Sequence, residues 1–189
     1  MMPRVKLFDK EEALKKAMEL FWEKGYAATS LSDLTRHLGI GKGSFYATFN
    51  SKRYLFDACF DVYRNTNVPL LEQLLNSEPN VKIGLQKLLE FNLEHLLSDG
   101  KHKGCFMANS CSEIHGESEV LLGKLVEHYN NVEQILVAYL KGGKIKPKKA
   151  ESISAMTLTF LIGMSQQSKI NRDRINYLGS IKHLVGMLN

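Results

Sequence analysis

Proline is scarce, with four residues in a chain of 189. So few helix breakers, set among abundant Leu, Lys and Glu, leave room for long helices. Apolar–polar alternation over strand length is missing as well, which leaves little material for a β-sheet. No stretch has the apolar length of a membrane span, and Met1-Met2-Pro3-Arg4-Val5-Lys6 leads into charged residues rather than an apolar signal core. The three cysteines are odd in number and lack CxxC spacing. They make no disulfide framework, and reduced thiols in the cytoplasm are expected. Repeats and low-complexity tracts are absent. So are G-x-S-x-G, a phosphate loop, HExxH and a paired-carboxylate site, so neither an enzyme nor a cofactor is expected.

What the chain does have is apolar content and positive charge. Hydrophobic residues make up 44%, enough for a real core, and the net charge of +5 suits a polyanionic partner. A first helix is expected from Asp9, its cap, to Lys24, with Leu14, Ala17, Met18 and Phe21 as its apolar stripe and Gly25 as its stop. Ser30 followed by Asp33 reads as a cap for a two-turn helix with Leu31, Leu34 and Leu38 on its inner face. Gly39 ends that helix. A third short helix, Lys42 to Thr48, turns Phe45 and Phe49 inward.

Two short helices around a glycine turn are a helix-turn-helix pattern. The second helix props the third, so that one face of the third is free for the major groove. That face carries Lys42, Gly43, Ser44, Tyr46 and Ala47, which are polar or small, as close approach to base edges requires. Residues 29–53 hold Arg36, Lys42, Lys52 and Arg53 against the single acid Asp33.

The run Gly25-Tyr26, Thr29 to Leu34, Leu38 to Tyr46, Phe49 to Lys52 and Leu55-Phe56 resembles the DNA-binding domain of the TetR family, without a gap over residues 8–56. The resemblance implies an all-α protein. Its helix-turn-helix DNA-binding domain would cover 1–52, and a helical ligand-binding and dimerisation domain 53–189. It also implies roles for single residues. Thr29 would clamp a phosphate at the start of helix two. Lys42, Gly43 and Ser44 would read bases, beside the small Ala47. Tyr46 would contact backbone or base, and Thr48 and Lys52 phosphates. Gly41 departs from the Ser or Thr that often caps the recognition helix in this family. The implied partners are double-stranded operator DNA, a small-molecule effector and a second copy of the chain, with no membrane.

Helix four is expected from Lys52 to about Asn65, ahead of Pro69, with further helices at about Val81–Leu97, Gly104–His115, Ser118–Leu140, Lys148–Ser168 and Arg172–Leu188. Residues 153–164 are apolar nearly all round, and Ile175, Leu178, Ile181, Val185 and Leu188 form a stripe. The two helices either build a dimer interface, as the resemblance implies, or close the core of one chain. The lysines at 141, 144, 146, 148 and 149 read as a solvated loop, with a second nucleic-acid site as the alternative.

Residues 104–113 carry a Gly-Cys-Phe-x-x-Asn-x-x-x-Glu pattern that resembles one branch of the same family. Three readings remain open. The cysteines can be apolar fillers. Cys105 can be a sensor thiol near a helix start, with Lys101, His102 and Lys103 beside it. Cys111 and His115, four apart, can share a metal, although no further ligand is identified and no metal site is expected. Ligand contacts are expected from Phe91, His95, Met107, Cys111, Tyr129 and Phe160. A non-regulatory helical protein that binds a small molecule is the alternative for the whole chain.

Overall fold

The computed structural model describes residues 9–98, 100, 102–113 and 119–188, which form nine α-helices and no strand. They are α1 (Lys10–Lys24), α2 (Leu31–Leu38), α3 (Lys42–Phe49), α4 (Lys52–Asn76), α5 (Val81–Ser98), α6 (Phe106–Glu113), α7 (Glu119–Gly142), α8 (Pro147–Gln167) and α9 (Arg174–Gly186). The chain divides into two compact units, one ending at Tyr63 and the other beginning at Arg64, inside α4.

The first unit is built around aromatic rings. Ala17 and Phe21 of α1, Leu34 of α2, Phe45 and Phe49 of α3, and Leu55, Phe56 and Phe60 of α4 are all buried. Phe56 meets Phe21 edge-on at 4.9 Å between centroids and Phe60 at 5.1 Å. Burial of each such ring contributes roughly 1.5–3 kcal/mol. The α1 stripe differs from its expected form: Ala13 and Leu20 are buried, while Leu14 and Met18 are half-buried at its edges. Asp9 caps α1 as expected, accepting from the backbone N–H groups of Glu11 and Glu12. Gly39 ends α2 in the left-handed region, at φ 67°, where a side chain would be strained.

In the second unit α7 packs along α8 and α5 along α9, and α6 lies against both α7 and α8. The core runs through Leu85, Leu88, Leu89 and Leu93 of α5, Leu136 and Leu140 of α7, Ile153 and Met164 of α8, and Ile181 and Val185 of α9. Gly84 lets the Tyr139 ring cross α5 closely, since a Cβ there would lie 1.8 Å from the phenolic oxygen. That oxygen donates to the Glu78 carbonyl at 2.6 Å.

Three expected boundaries move. Helix four does not stop near Asn65 but runs 25 residues through Pro69. Asn65 and Pro69 both lie on its exposed side, so the carbonyl that loses its donor to proline is open to water. Helix six starts at Phe106 rather than Gly104, because Gly104 has φ 68°, and its expected end at His115 lies outside the described residues. Helix nine starts at Arg174, where the Asp173 carboxylate accepts from the N–H groups of Ile175 and Asn176. Of the expected α9 stripe, Ile181, Val185 and Leu188 are buried within this one chain, whereas Ile175 is 83% exposed.

Candidate nucleic-acid interface

Ser30 starts α2 with a complete capping box. Its hydroxyl accepts from the Asp33 N–H at 3.1 Å, and the Asp33 carboxylate accepts from the Ser30 N–H at 3.0 Å and from its hydroxyl at 2.7 Å. The Ser30 hydroxyl and N–H, helped by Lys24, hold the Asp33 carboxyl down at about 2. With α2 so placed, α3 follows after Gly39 and Ile40. Its cap, Gly41, has no side-chain bond to offer.

One side of α3 is fully buried through Phe45 and Phe49, and the opposite side presents Lys42, Gly43, Ser44, Tyr46 and Ala47, all exposed. Tyr46 stands out at 51% exposure with its ring edge-on to Phe45, so its hydroxyl reaches outward from a supported ring. Nothing lies within 4 Å of a Cβ added at Gly43, so this face is open. Thr48 is half-buried, and its hydroxyl donates to the Ser44 carbonyl at 2.9 Å.

Thr29 and Lys52, expected at phosphates, have internal duties. Thr29 is fully buried and its hydroxyl donates to the Gly25 carbonyl at 2.6 Å. The Lys52 ammonium donates to the Tyr26 and Thr29 carbonyls at 2.8 Å each and sits 4.2 Å from the centre of the Tyr26 ring. The Thr29 hydroxyl closes the α1–α2 loop on itself, and Lys52 fastens that loop to the start of α4. Exposed residues that the expected set omitted are Arg36 and His37 in the last turn of α2, and Arg53 and Tyr54 in the first turn of α4. The basic excess over 29–53 already counted the two arginines. Tyr54 was readable only as the outward neighbour of the buried Leu55 and Phe56.

The six expected ligand residues do not gather into one pocket. Cys111 and Tyr129 are neighbours, with 3.7 Å between thiol and hydroxyl, and the Cys111 thiol also donates to the Met107 carbonyl at 3.4 Å. Met107 itself is buried. Phe160 is half-buried against the core, and Phe91 and His95 lie on the exposed side of α5. Burial pushes the Tyr129 hydroxyl far up and the Cys111 thiol up. Cys111 is nonetheless the most exposed of the three cysteines, while Cys59 is buried and strongly raised by that burial.

Cys105 is half-buried immediately before α6, and its N–H donates to the Ser165 hydroxyl at 2.7 Å. The Lys169 stem passes close to Gly104, and burial lowers the Lys169 ammonium against the opposing effect of Cys105 and Glu113. Arg172 binds His102 Nδ1 at 2.8 Å and the Leu97 carbonyl. Lys101 and the suggested metal partner His115 fall outside the described residues. Among those described, no group of three or more His, Cys, Asp or Glu could hold a metal ion.

His128, on the inner side of α7, is lowered to about 4 by burial and then by nearby Arg64. A groove of about 900 Å³ lies between the second half of α4 and α7, and its lining includes none of the six expected ligand residues.

A buried aromatic core that props one short helix with an open polar face defines a helix-turn-helix protein. Residues 13–59 match the family described as bacterial regulatory proteins, tetR family. The transcriptional repressor ComR of Escherichia coli K12 is 35% identical over 138 residues, covering 72% of this chain and 66% of ComR, just under two thirds. The repressor BdcR of the same organism is 26% identical over 166 residues, 88% of this chain and 82% of BdcR. Among solved structures, a cysteine-substituted variant of the TetR-family regulator CifR, complexed with a 26-base-pair operator DNA, superposes with TM-score 0.85 at 26% identity over 97% of this chain and 98% of that one. Residues 13–59 thus carry the helix-turn-helix module of the TetR family, a family of DNA-binding transcriptional regulators. No described helix is long and apolar enough to cross a membrane.

Proposed function

We propose that the protein is a cytoplasmic repressor that binds a palindromic operator as a homodimer and leaves it when a small molecule occupies the C-terminal unit. The observation that carries this is the division of α3, with Phe45 and Phe49 buried while Lys42, Ser44 and Tyr46 project from the other side. Lys42 stands at the start of the helix, where a cation reaches guanine O6 and N7. Ser44 and Tyr46 add hydrogen-bonding groups, and Gly43 and Ala47 keep the approach close. Arg36, Arg53 and Tyr54 supply backbone contacts in place of the engaged Lys52 and Thr29. That ComR and BdcR are repressors, and that a CifR variant is complexed with operator DNA, supports the reading.

The test is selection of bound duplexes from a random library. A palindrome should emerge, with half-sites about one helical turn, roughly 34 Å, apart. Lys42→Ala should relax the preference at one position of each half-site, at roughly 1–3 kcal/mol for the lost contact. An unchanged preference profile would remove Lys42 from base reading.

The signal is open to a second test. If it passes through the Cys105 thiol, alkylation of that residue lowers operator affinity and Cys105→Ser resists. If Cys105 stays unmodified where free cysteine reacts, the effector binds without a covalent bond.

A further inference from the structure

The groove between the second half of α4 and α7 combines three features. The first is a set of amides. Asn65 of α4 and Asn130, Asn131 and Gln134 of α7 line it, all are exposed, and none of these side chains is hydrogen-bonded to another described residue. The second is a backbone acceptor. Pro69 has no N–H, so the Asn65 carbonyl has no helical donor four residues on, and both residues belong to the lining. The third is charge cancellation. The charged residues of the lining, Arg64 and Glu127, pair across the two helices at 3.0 Å. Val68, Pro69 and Val126 add apolar surface beside the amides.

This chemistry selects against net charge. An anion at Arg64 would meet the opposing charge of Glu127 beside it, and a cation at Glu127 that of Arg64. Each amide offers two N–H donors and a carbonyl acceptor, which is the complement of several hydroxyl groups. Apolar surface between such groups suits the C–H face of a ring. The volume lies within the range of small-molecule sites, about 300–1,000 Å³.

We propose that this groove binds a neutral, polyhydroxylated small molecule, a sugar or cyclic polyol of one or two rings. The proposal rests on the regulator reading only where it makes this molecule the effector, since binding itself is measured without DNA. α4 gives the effector role its physical basis, because the same continuous helix that lines the groove begins at Lys52 in the helix-turn-helix unit.

The experiment uses the full chain, ¹⁵N-labelled, with glucose, cellobiose and myo-inositol as neutral probes and glucose 6-phosphate as the charged one. At least one neutral probe should give saturable shifts of the Asn65, Asn130, Asn131 and Gln134 side-chain NH₂ signals at concentrations up to about 10 mM, well above a weak Kd of roughly 1 mM. Gly123→Leu provides the blocked groove. Gly123 is in the lining, and an added Cβ there meets nothing within 4 Å, so the backbone admits a side chain that projects from this position. It also removes a glycine from a helix interior. It should melt no lower than the parent and bind the probe at least tenfold more weakly.

Absence of saturable shifts with all three neutral probes would overturn the proposal, as would saturation by glucose 6-phosphate alone or full binding by Gly123→Leu. Operator release by the bound probe, followed by fluorescence anisotropy, supports the effector role. Binding without release overturns that role while the site stands, and absence of operator binding by the unliganded protein overturns the regulator reading instead.

Discussion

Ser154 and Thr157 sit fully buried on the inner side of α8, and neither hydroxyl has a hydrogen-bond partner among the described residues. A desolvated hydroxyl without a partner opposes folding by about 1–3 kcal/mol. Thr157→Val keeps the branch and removes that group, so the variant should be more stable by about 1 kcal/mol and melt roughly 2–4 °C higher. A fall in melting temperature would mean that the hydroxyl is satisfied in solution. His128 makes a prediction of the opposite kind. Its folded value of about 4 lies below the ordinary value of 6.5, so the unfolded chain binds its proton first as pH falls. This contribution to stability is fully present above pH 6.5 and is lost progressively down to about pH 4. Denaturant midpoints measured across that interval should fall with pH, and the fall should flatten in His128→Gln.

Among the elements, α4 is the one whose length the sequence misstates. Proline inside a helix costs about 3 kcal/mol relative to alanine, so a reading by propensity alone stops the helix before Pro69. The observed helix runs on to Asn76 because Leu71 and Leu75 beyond the proline are buried in the core, which outweighs that cost. Pro69→Ala restores a donor to the Asn65 carbonyl and should raise stability by up to about 3 kcal/mol, read as a higher denaturant midpoint with unchanged slope. No gain would show that the helix has adapted to the ring. In α3 the sequence was sufficient, because Phe45 and Phe49 at i and i+4 specify the buried side and therefore the open one. For Lys52 it was not sufficient. Its carbonyl partners lie 26 and 23 residues earlier, a proximity that no local spacing reveals.

At the scale of the whole molecule, the two apolar C-terminal helices close the core of one chain, and the other expected purpose, pairing with a second copy, falls in our proposal to different residues. Ile181, at 1% exposure, belongs to the core of one chain, so a charge there would unfold the protein rather than separate two copies. The apolar side chains that these helices leave exposed are Met156 of α8, Ile175 of α9 and Met187 just beyond it, at 40%, 83% and 47%, and we propose that they face the second copy. A Met156→Glu, Ile175→Glu double variant should therefore give folded monomers with little operator affinity, measured by sedimentation and circular dichroism together. An intact dimer would place the interface elsewhere.

By itself the sequence determined the all-helical fold, the capped α2, the glycine turn and the buried side of α3. All of these follow from contacts within a few residues, where helix periodicity, caps and glycine act directly. Only the tertiary structure decided which residues each apolar stripe spends on its own core, which cations are committed to carbonyls, and where a groove opens. The expected ligand residues show the reason. Met107, Cys111 and Tyr129 come near one another, but Phe91 and His95 turn outward on α5, because the inner side of that helix is filled by Leu85, Leu89, Leu93 and Leu96. The composition of a helix names the residues that could meet a ligand. Packing against distant helices determines which of them do.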